Sequence, residues 1–154
     1  MNIYLASDHA GFELKNKVRD FLETVFVKEK RISGKVNVLD LGPQNLDSVD
    51  YPDFADLVCQ QLKKSDTAFG ILICGSGQGM VMRANKYPFI RAALVYNDEI
   101  AKLSREHNDA NVICIGSRFC TPEDANDWVN VFLQTPFAGG RHQTRVAKIG
   151  SVLS

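Results

Sequence analysis

Five apolar segments alternate with amphipathic segments along the whole chain. Each of the five is continuously apolar, which is typical of parallel strands covered on both faces. Together they predict a five-stranded parallel sheet with helices on both sides and right-handed crossovers. The five predicted strands are NIYLAS (2–7), VNVLDLG (36–42), FGILIC (69–74), RAALVY (91–96) and NVICIG (111–116).

Helical spacing is clearest in two of the segments between strands. The first places apolar residues at Leu14, Val18, Phe21, Leu22 and Val25. The second follows the start signal TPED at 121–124, with Thr as the N-cap and Pro in the first turn, and its apolar residues are Ala125, Trp128, Val129 and Phe132.

Two further segments interrupt the alternation. The charged segment 27–35 contains a glycine and predicts a solvated loop. The turn-rich segment 42–54 follows the C-terminal end of a strand, where open α/β sheets bind ligands. We therefore expect the second segment to form the wall of a pocket.

Composition narrows the class of protein. The 154 residues show no second compositional regime or repeat, so we expect a single domain over residues 1–154. Eighteen basic residues balance eighteen acidic ones, which argues against a nucleic-acid partner. No segment reaches the roughly 18 apolar residues of a membrane helix. The first 15 residues lack an export signal, so we expect a cytoplasmic protein with four reduced cysteines.

Candidate chemistry lies just beyond the predicted strand ends. Asp8 and His9 follow the first strand, Arg118 follows the fifth, and the third ends in Cys74 and the loop GSGQG (75–79). This loop is either a plain tight turn or a set of free backbone N–H groups at a helix start, which favours an anion. Beside those groups the thiolate of Cys74 is stabilised and becomes a usable base or nucleophile. Cys114, inside a strand, fits a small buried hydrophobe better.

The remaining candidates lie in two other motifs. GGRHQTRV (139–146) places Arg141 and Arg145 four residues apart, on one face of a helix, as either a phosphate clamp or an ordinary exposed basic face. Arg118 and His9 could reinforce such a clamp in space. His107 and Asn108 end the helix after strand four.

The combination suits enolisation of a sugar phosphate. A thiolate removes a proton α to a carbonyl, N–H donors and the Ser76 hydroxyl hold the developing oxyanion, and arginines anchor the phosphate. The histidines are scattered and form no HxH or HExxH motif, so the sequence demands no metal.

Seven motifs, in this order, resemble the type B ribose-5-phosphate isomerase family. They are SDHAG (7–11), DYPDFA (50–55), GILICGSGQGM (70–80), ANK (84–86), LSREHNDANV (103–112), GSR (116–118) and GGRHQTRV (139–146). The resemblance covers essentially the whole chain and implies a Rossmann-like α/β/α domain without a cofactor. It also implies a pentose phosphate pathway enzyme and a homodimer with active sites shared between subunits, a tetramer being left open.

The resemblance also implies residue roles. Cys74 would move the proton between C2 and C1, and His107, with Asp8 nearby, would open the furanose ring. The other implied contacts to the substrate are His9, Tyr51, Gly75, Ser76, Gly77, Gln78, Gly79, Asn108, Arg118, Arg141 and Arg145. One branch of the family uses a glutamate just after the glycine loop as its base. Met80 occupies that position here, which leaves the task to Cys74.

Three alternatives remain open at this point. The family also contains galactose-6-phosphate and allose-6-phosphate isomerases, and the sequence does not show the size of the pocket. A thiol hydrolase would use Cys74 as nucleophile and His107 as its base. A nucleotide-binding module would use GSGQG as a phosphate loop without catalysis.

Overall fold

Five parallel strands and six α-helices alternate along the described part of the chain. The computed structural model describes residues 1–29, 31, 34–65 and 67–151. The strands are β1 (Asn2–Ser7), β2 (Asn37–Asp40), β3 (Phe69–Cys74), β4 (Ala92–Val95) and β5 (Val112–Gly116). The α-helices are α1 (Phe12–Phe21), α2 (Tyr51–Leu62), α3 (Gln78–Ala84), α4 (Asp98–Asn108), α5 (Pro122–Gln134) and α6 (Arg141–Ile149).

The strand order in the sheet is β2-β1-β3-β5-β4, and every neighbouring pair is parallel. Side chains alternate between the faces, so that Ile3 and Leu5 lie in one core cluster and Tyr4 and Ala6 in the other. The first cluster is covered by α1, α4 and α5, and the second by α2 and α3. The predicted three-layer α/β/α architecture is confirmed.

Both predicted amphipathic helices are present. A π-helical turn, Leu22–Phe26, continues α1. At the start of α5, Thr121 and Asp124 form the reciprocal pair of a capping box: the Thr121 hydroxyl accepts the Asp124 N–H, and the Asp124 carboxylate accepts the Thr121 N–H. Phe132 on this helix is fully buried and meets the ring of Phe69 edge-on, with centroids 5.8 Å apart.

Several boundaries differ from the predicted ones. Strands two, four and five are shorter than the apolar segments 36–42, 91–96 and 111–116. The pocket-wall segment 42–54 contains the first turn of α2, since helix begins at Tyr51. The charged loop 27–35 falls partly outside the described residues.

No helix in the described ranges is both long enough and apolar enough to cross a bilayer.

A fully buried lysine ties α1 to the end of β2. The ammonium group of Lys15 donates to both carboxylate oxygens of Asp40, at 2.7 and 2.8 Å, and to the carbonyl of Pro43 at 2.7 Å. Asp40 also accepts the Gly42 N–H at 2.9 Å and a longer contact from Arg19 at 3.2 Å. The lysine therefore anchors the turn that begins segment 42–54.

We expect Lys15→Met to lower the free energy of unfolding by about 2–4 kcal/mol, because it leaves a largely buried carboxylate without its main partner. Arg19→Met is the matched control on the same carboxylate; its side chain is 31% exposed, so the loss should stay below about 1 kcal/mol. Urea titration followed by circular dichroism measures both. Equal losses for the two variants would contradict the anchoring role of Lys15.

Candidate active site

A cleft of about 340 Å³ opens at the carboxyl edge of the sheet. The chain leaves β1 for β2 on one side and returns to β3 on the other, which is the switch point where open α/β sheets bind ligands. The residues lining the cleft are Asp8, His9, Ala10, Tyr51, Cys74, Gly75, Ser76, Gly79, Met82 and Arg118. Eight of the sequence-predicted site residues therefore meet in one place.

Cys74 lies at the floor of this cleft, at the end of β3. Its Sγ accepts the backbone N–H of Gly77 at 3.1 Å. Gly77 has a left-handed φ of +76°, and a Cβ on it would lie 2.5 Å from Leu94 Cδ1. Only glycine fits at this position, and its conformation directs a backbone N–H at the Cys74 sulfur.

The other three thiols have different surroundings. Burial raises the pKa of Cys59 to about 12 and that of Cys120 to about 11. Burial also raises the pKa of Cys114 well above its ordinary value, which agrees with its predicted role as a small buried hydrophobe. These cysteines are protonated, and therefore weak nucleophiles, near neutral pH.

Asp8 and His9 are fixed by main-chain donors. The Asp8 carboxylate, 8% exposed, accepts the Gly11 N–H at 2.9 Å. His9 Nδ1 accepts the Val49 N–H at 3.3 Å, so that the proton of a neutral ring is on Nε2. The predicted pocket-wall segment therefore reaches the cleft and orients His9.

The glycine loop provides room for two larger side chains. The Tyr51 ring occupies the space that a Cβ on Gly79 would need, and the Arg118 guanidinium packs against Gly75. The backbone N–H of Arg118 donates to the Gly75 carbonyl at 3.2 Å. Loop, tyrosine and arginine thus form one packed unit around the cleft.

Ser76 and Gln78 are the loop residues whose side chains are exposed. Ser76 is exposed, and its hydroxyl accepts the Gln78 N–H at 3.4 Å. The Gln78 side chain lines a neighbouring apolar groove with Tyr96 and Phe119 instead of the cleft. Gln78 is absent from the residues that line the cleft, and its predicted contact with substrate stays a prediction.

Four predicted residues lie at the opposite edge of the sheet: His107, Asn108, Arg141 and Arg145. The C-terminal end of α4 leads into the start of β5, and α6 packs against this end of α4. Cys74, by contrast, is at the far end of β3, which spans roughly 20 Å for six residues. Within one chain, therefore, Arg118 and His9 do not join the α6 arginines in one clamp.

At this opposite edge, a histidine at the end of α4 contacts a histidine of α6. The rings of His107 and His142 stack with centroids 4.2 Å apart and an interplanar angle of 7°. Loss of hydration lowers the pKa of His142, and the neighbouring His107, Arg141 and Arg145 lower it further. His142 follows Arg141 in the sequence, but its contact with His107 joins two distant segments and has no local sequence signal.

As expected from GGRHQTRV, Arg141 and Arg145 lie on the exposed side of a helix, α6. No cluster of three His, Cys, Asp or Glu side chains suited to a metal ion occurs within the described ranges.

Known proteins match this chain over nearly its whole length. The profile of the family described as Ribose/Galactose Isomerase matches residues 3–149. The chain belongs to the ribose/galactose isomerase family. Within that family, a probable ribose-5-phosphate isomerase B of Mycoplasma pneumoniae is 49% identical over 148 residues, covering 96% of this chain and 91% of the relative.

Solved structures of the ribose/galactose isomerase family share the fold. Ribose 5-phosphate isomerase B from Thermotoga maritima superposes with a TM-score of 0.87 at 44% identity, covering 98% of each chain. The Mycoplasma genitalium enzyme, solved with bound ribulose-5-phosphate, gives 0.87 at 47% identity and covers 96% of this chain and 93% of its own.

We expect Cys74 to be the first of the four thiols to react with iodoacetamide at pH 8. At that pH a thiol with the pKa of about 11 found for Cys120 is ionised in roughly one molecule per thousand. Peptide mass spectrometry over a time course measures the order of labelling. A Cys74→Ala control should show little early labelling, and faster reaction of Cys120 would contradict the cleft geometry.

Proposed function

We propose that this protein interconverts D-ribose 5-phosphate and D-ribulose 5-phosphate, as an aldose–ketose isomerase without a cofactor. The observation that carries the proposal is the Cys74 sulfur, which meets the Gly77 N–H on the floor of a cleft that also holds His9 and Arg118. Relatives at 49% and 47% identity bear the name probable ribose-5-phosphate isomerase B, which supports the five-carbon substrate.

Cys74 acts as the base that moves a proton between C2 and C1. Removing this proton places negative charge on the carbonyl oxygen, and donors aimed at the enediolate stabilise it. The Ser76 hydroxyl and the N–H groups of the loop are the donors nearest to the sulfur in sequence. Met80, a fully buried residue of α3, offers no competing base.

Phosphate binding begins with His9 and Arg118 at the same cleft. The Nε2–H of His9 and the guanidinium of Arg118 are donors of the kind that phosphate oxygens accept. Asp8 lines the same cleft, where a carboxylate can hold a sugar hydroxyl. Tyr51 closes the side of the cleft against the glycine loop.

The complete site is formed by two copies of the chain. The proposed ring opening and the remaining substrate contacts use residues that lie about one strand length from Cys74 of the same chain. These residues are His107, Asn108, Arg141 and Arg145. A homodimer that pairs the Cys74 edge of one subunit with the His107 edge of its partner brings both sets to one sugar. We further infer that this metabolic enzyme works in the cytoplasm, within the pentose phosphate pathway.

We expect Cys74→Ala to lower kcat for ribose 5-phosphate by about 10²–10⁴-fold or more, since the base is lost. The measurement compares turnover of ribose 5-phosphate, allose 6-phosphate and galactose 6-phosphate, together with solvent deuterium incorporation. Cys120→Ala serves as the matched control and should keep its activity.

The same panel tests the alternatives. Preference for a six-carbon sugar would move the substrate assignment to another member of the family. Normal turnover by Cys74→Ala would reject the sulfur as base. An acyl adduct on Cys74 would indicate a thiol hydrolase, and nucleotide affinity that survives Cys74→Ala without isomerisation would indicate a binding module.

Mixing two inactive variants tests the composite site. In a hybrid of Cys74→Ala with His107→Asn, one site carries both substitutions and the other carries neither. We expect hybrids purified through two different tags to recover about half of the wild-type activity, because one of two symmetric sites is intact. Hybrids of Cys74→Ala with itself, differing only in tag, are the control. No recovery would mean that each chain builds its site alone.

A further inference from the structure

The turn after His107 and Asn108 is held by an unusual charged cluster. Asp109 has φ 46° and ψ 44°, the only described residue other than glycine with a positive φ. Its carboxylate accepts from Arg91 at 2.8 Å through one oxygen and from Arg105 at 2.8 Å through the other. A side chain in the left-handed region is strained, and it persists only where its surroundings fix it.

Arg105 is the centre of this cluster and is only 8% exposed. Besides Asp109, it donates to the Ala110 carbonyl at 2.6 Å and to the Thr135 carbonyl at 3.2 Å. Its guanidinium lies 4.9 Å from the centre of the Phe69 ring. A planar fork with several fixed donors can bind three acceptors from different directions, whereas the single ammonium of a lysine cannot replace that geometry.

These contacts join two segments that carry functional groups. Thr135 is the C-cap of α5 and begins the connection to α6. In the same connection, the Ala138 N–H donates to the Glu106 carbonyl at 3.1 Å. On the far side of that connection, His142 of α6 stacks on His107 of α4. One buried guanidinium thus fixes the end of α4 and the approach to α6 relative to each other.

We propose that Arg105 is a positioning residue for the half of the site that each chain contributes to its partner. It acts through His107 and Asn108 at the end of α4, and through Arg141 and Arg145 on α6. The inference rests on the proposed isomerase and its composite site. It assigns to Arg105 no contact with substrate, and it separates Arg105 from the proton transfer at Cys74.

The test is the complementation pattern of Arg105→Lys. Alone, this variant should lose about 10–100-fold in kcat/KM for ribose 5-phosphate, because a displacement near 1 Å at a catalytic group costs this much. In two-tag hybrids it should recover activity with Cys74→Ala but not with His107→Asn. A variant that merely weakened the whole subunit would also damage its own Cys74 edge and would recover with neither.

A second readout separates ring opening from proton transfer. Ribulose 5-phosphate has no free hydroxyl that can close a five-membered ring on its carbonyl, so it needs no ring opening. At saturating ribulose 5-phosphate, Arg105→Lys should exchange the C1 proton with solvent deuterium within about threefold of wild type, since the base is untouched. A loss of exchange equal to the loss of turnover of ribose 5-phosphate would overturn the proposal.

Two further variants keep the test decisive. If Arg105→Lys does not fold, Asp109→Asn takes its place, because it removes the carboxylate and keeps a residue that tolerates the left-handed conformation. Asp109→Asn should likewise recover with Cys74→Ala and not with His107→Asn, and it should lose less kcat/KM than Arg105→Lys. Arg83→Lys is the matched control, because Arg83 also makes a two-point contact, with Asp56, on the other side of the sheet, and its activity should be unchanged.

Failure of this inference differs from failure of the proposed function. If Cys74→Ala and His107→Asn complement each other but Arg105→Lys recovers with His107→Asn, Arg105 serves the Cys74 edge and the positioning role is wrong. If no pair complements, the composite site itself is wrong. If no sugar phosphate is isomerised, the proposed isomerase function is wrong, whatever the role of Arg105.

Discussion

The direction of the five strands determines where chemistry can be placed in this protein. Because all five are parallel, their carboxyl ends lie on one edge of the sheet and their amino ends on the other. Cys74 ends a strand, whereas His107 and Asn108 end a helix that leads into the start of a strand. These groups are separated by the length of a strand, and no loop adjustment within one chain brings them together.

At the carboxyl edge, small residues do the positioning. The left-handed Gly77 directs its N–H at the Cys74 sulfur, and the bare Cα of Gly79 admits the Tyr51 ring. A side chain at Gly77 would collide with Leu94, and one at Gly79 would collide with the Tyr51 ring. The opposite edge works differently: there the ordering elements are charged, with Asp109 between Arg91 and Arg105. Rigid backbone holds the proposed base, and a partly buried ion cluster centred on Arg105 lies beside the proposed ring-opening group.

The sequence predicted what depends on local pattern. Continuous apolar segments gave the five strands, and TPED gave the start of α5, because both signals lie within a few residues of the element they specify. The start of α2 at Tyr51 was missed inside a turn-rich segment, although Pro52 follows immediately. The strand order, the buried Lys15–Asp40 pair and the stacking of His142 on His107 depend on contacts between distant segments, which one-dimensional spacing does not encode.

Division of the proposed site between two edges also divides the reaction into separable parts. The groups at β3 need only an open-chain sugar with its carbonyl exposed, and their geometry is set by the glycine loop and the end of β1. In the proposed reaction, the groups on α4 and α6 act on the closed ring and the phosphate, and we infer that Arg105 sets their geometry through its contacts with Thr135 and Ala110. In the proposed dimer, turnover of each sugar therefore depends on the side-chain geometry of both subunits. Damage to one edge slows a definable step while the other edge of the same chain continues to serve its partner.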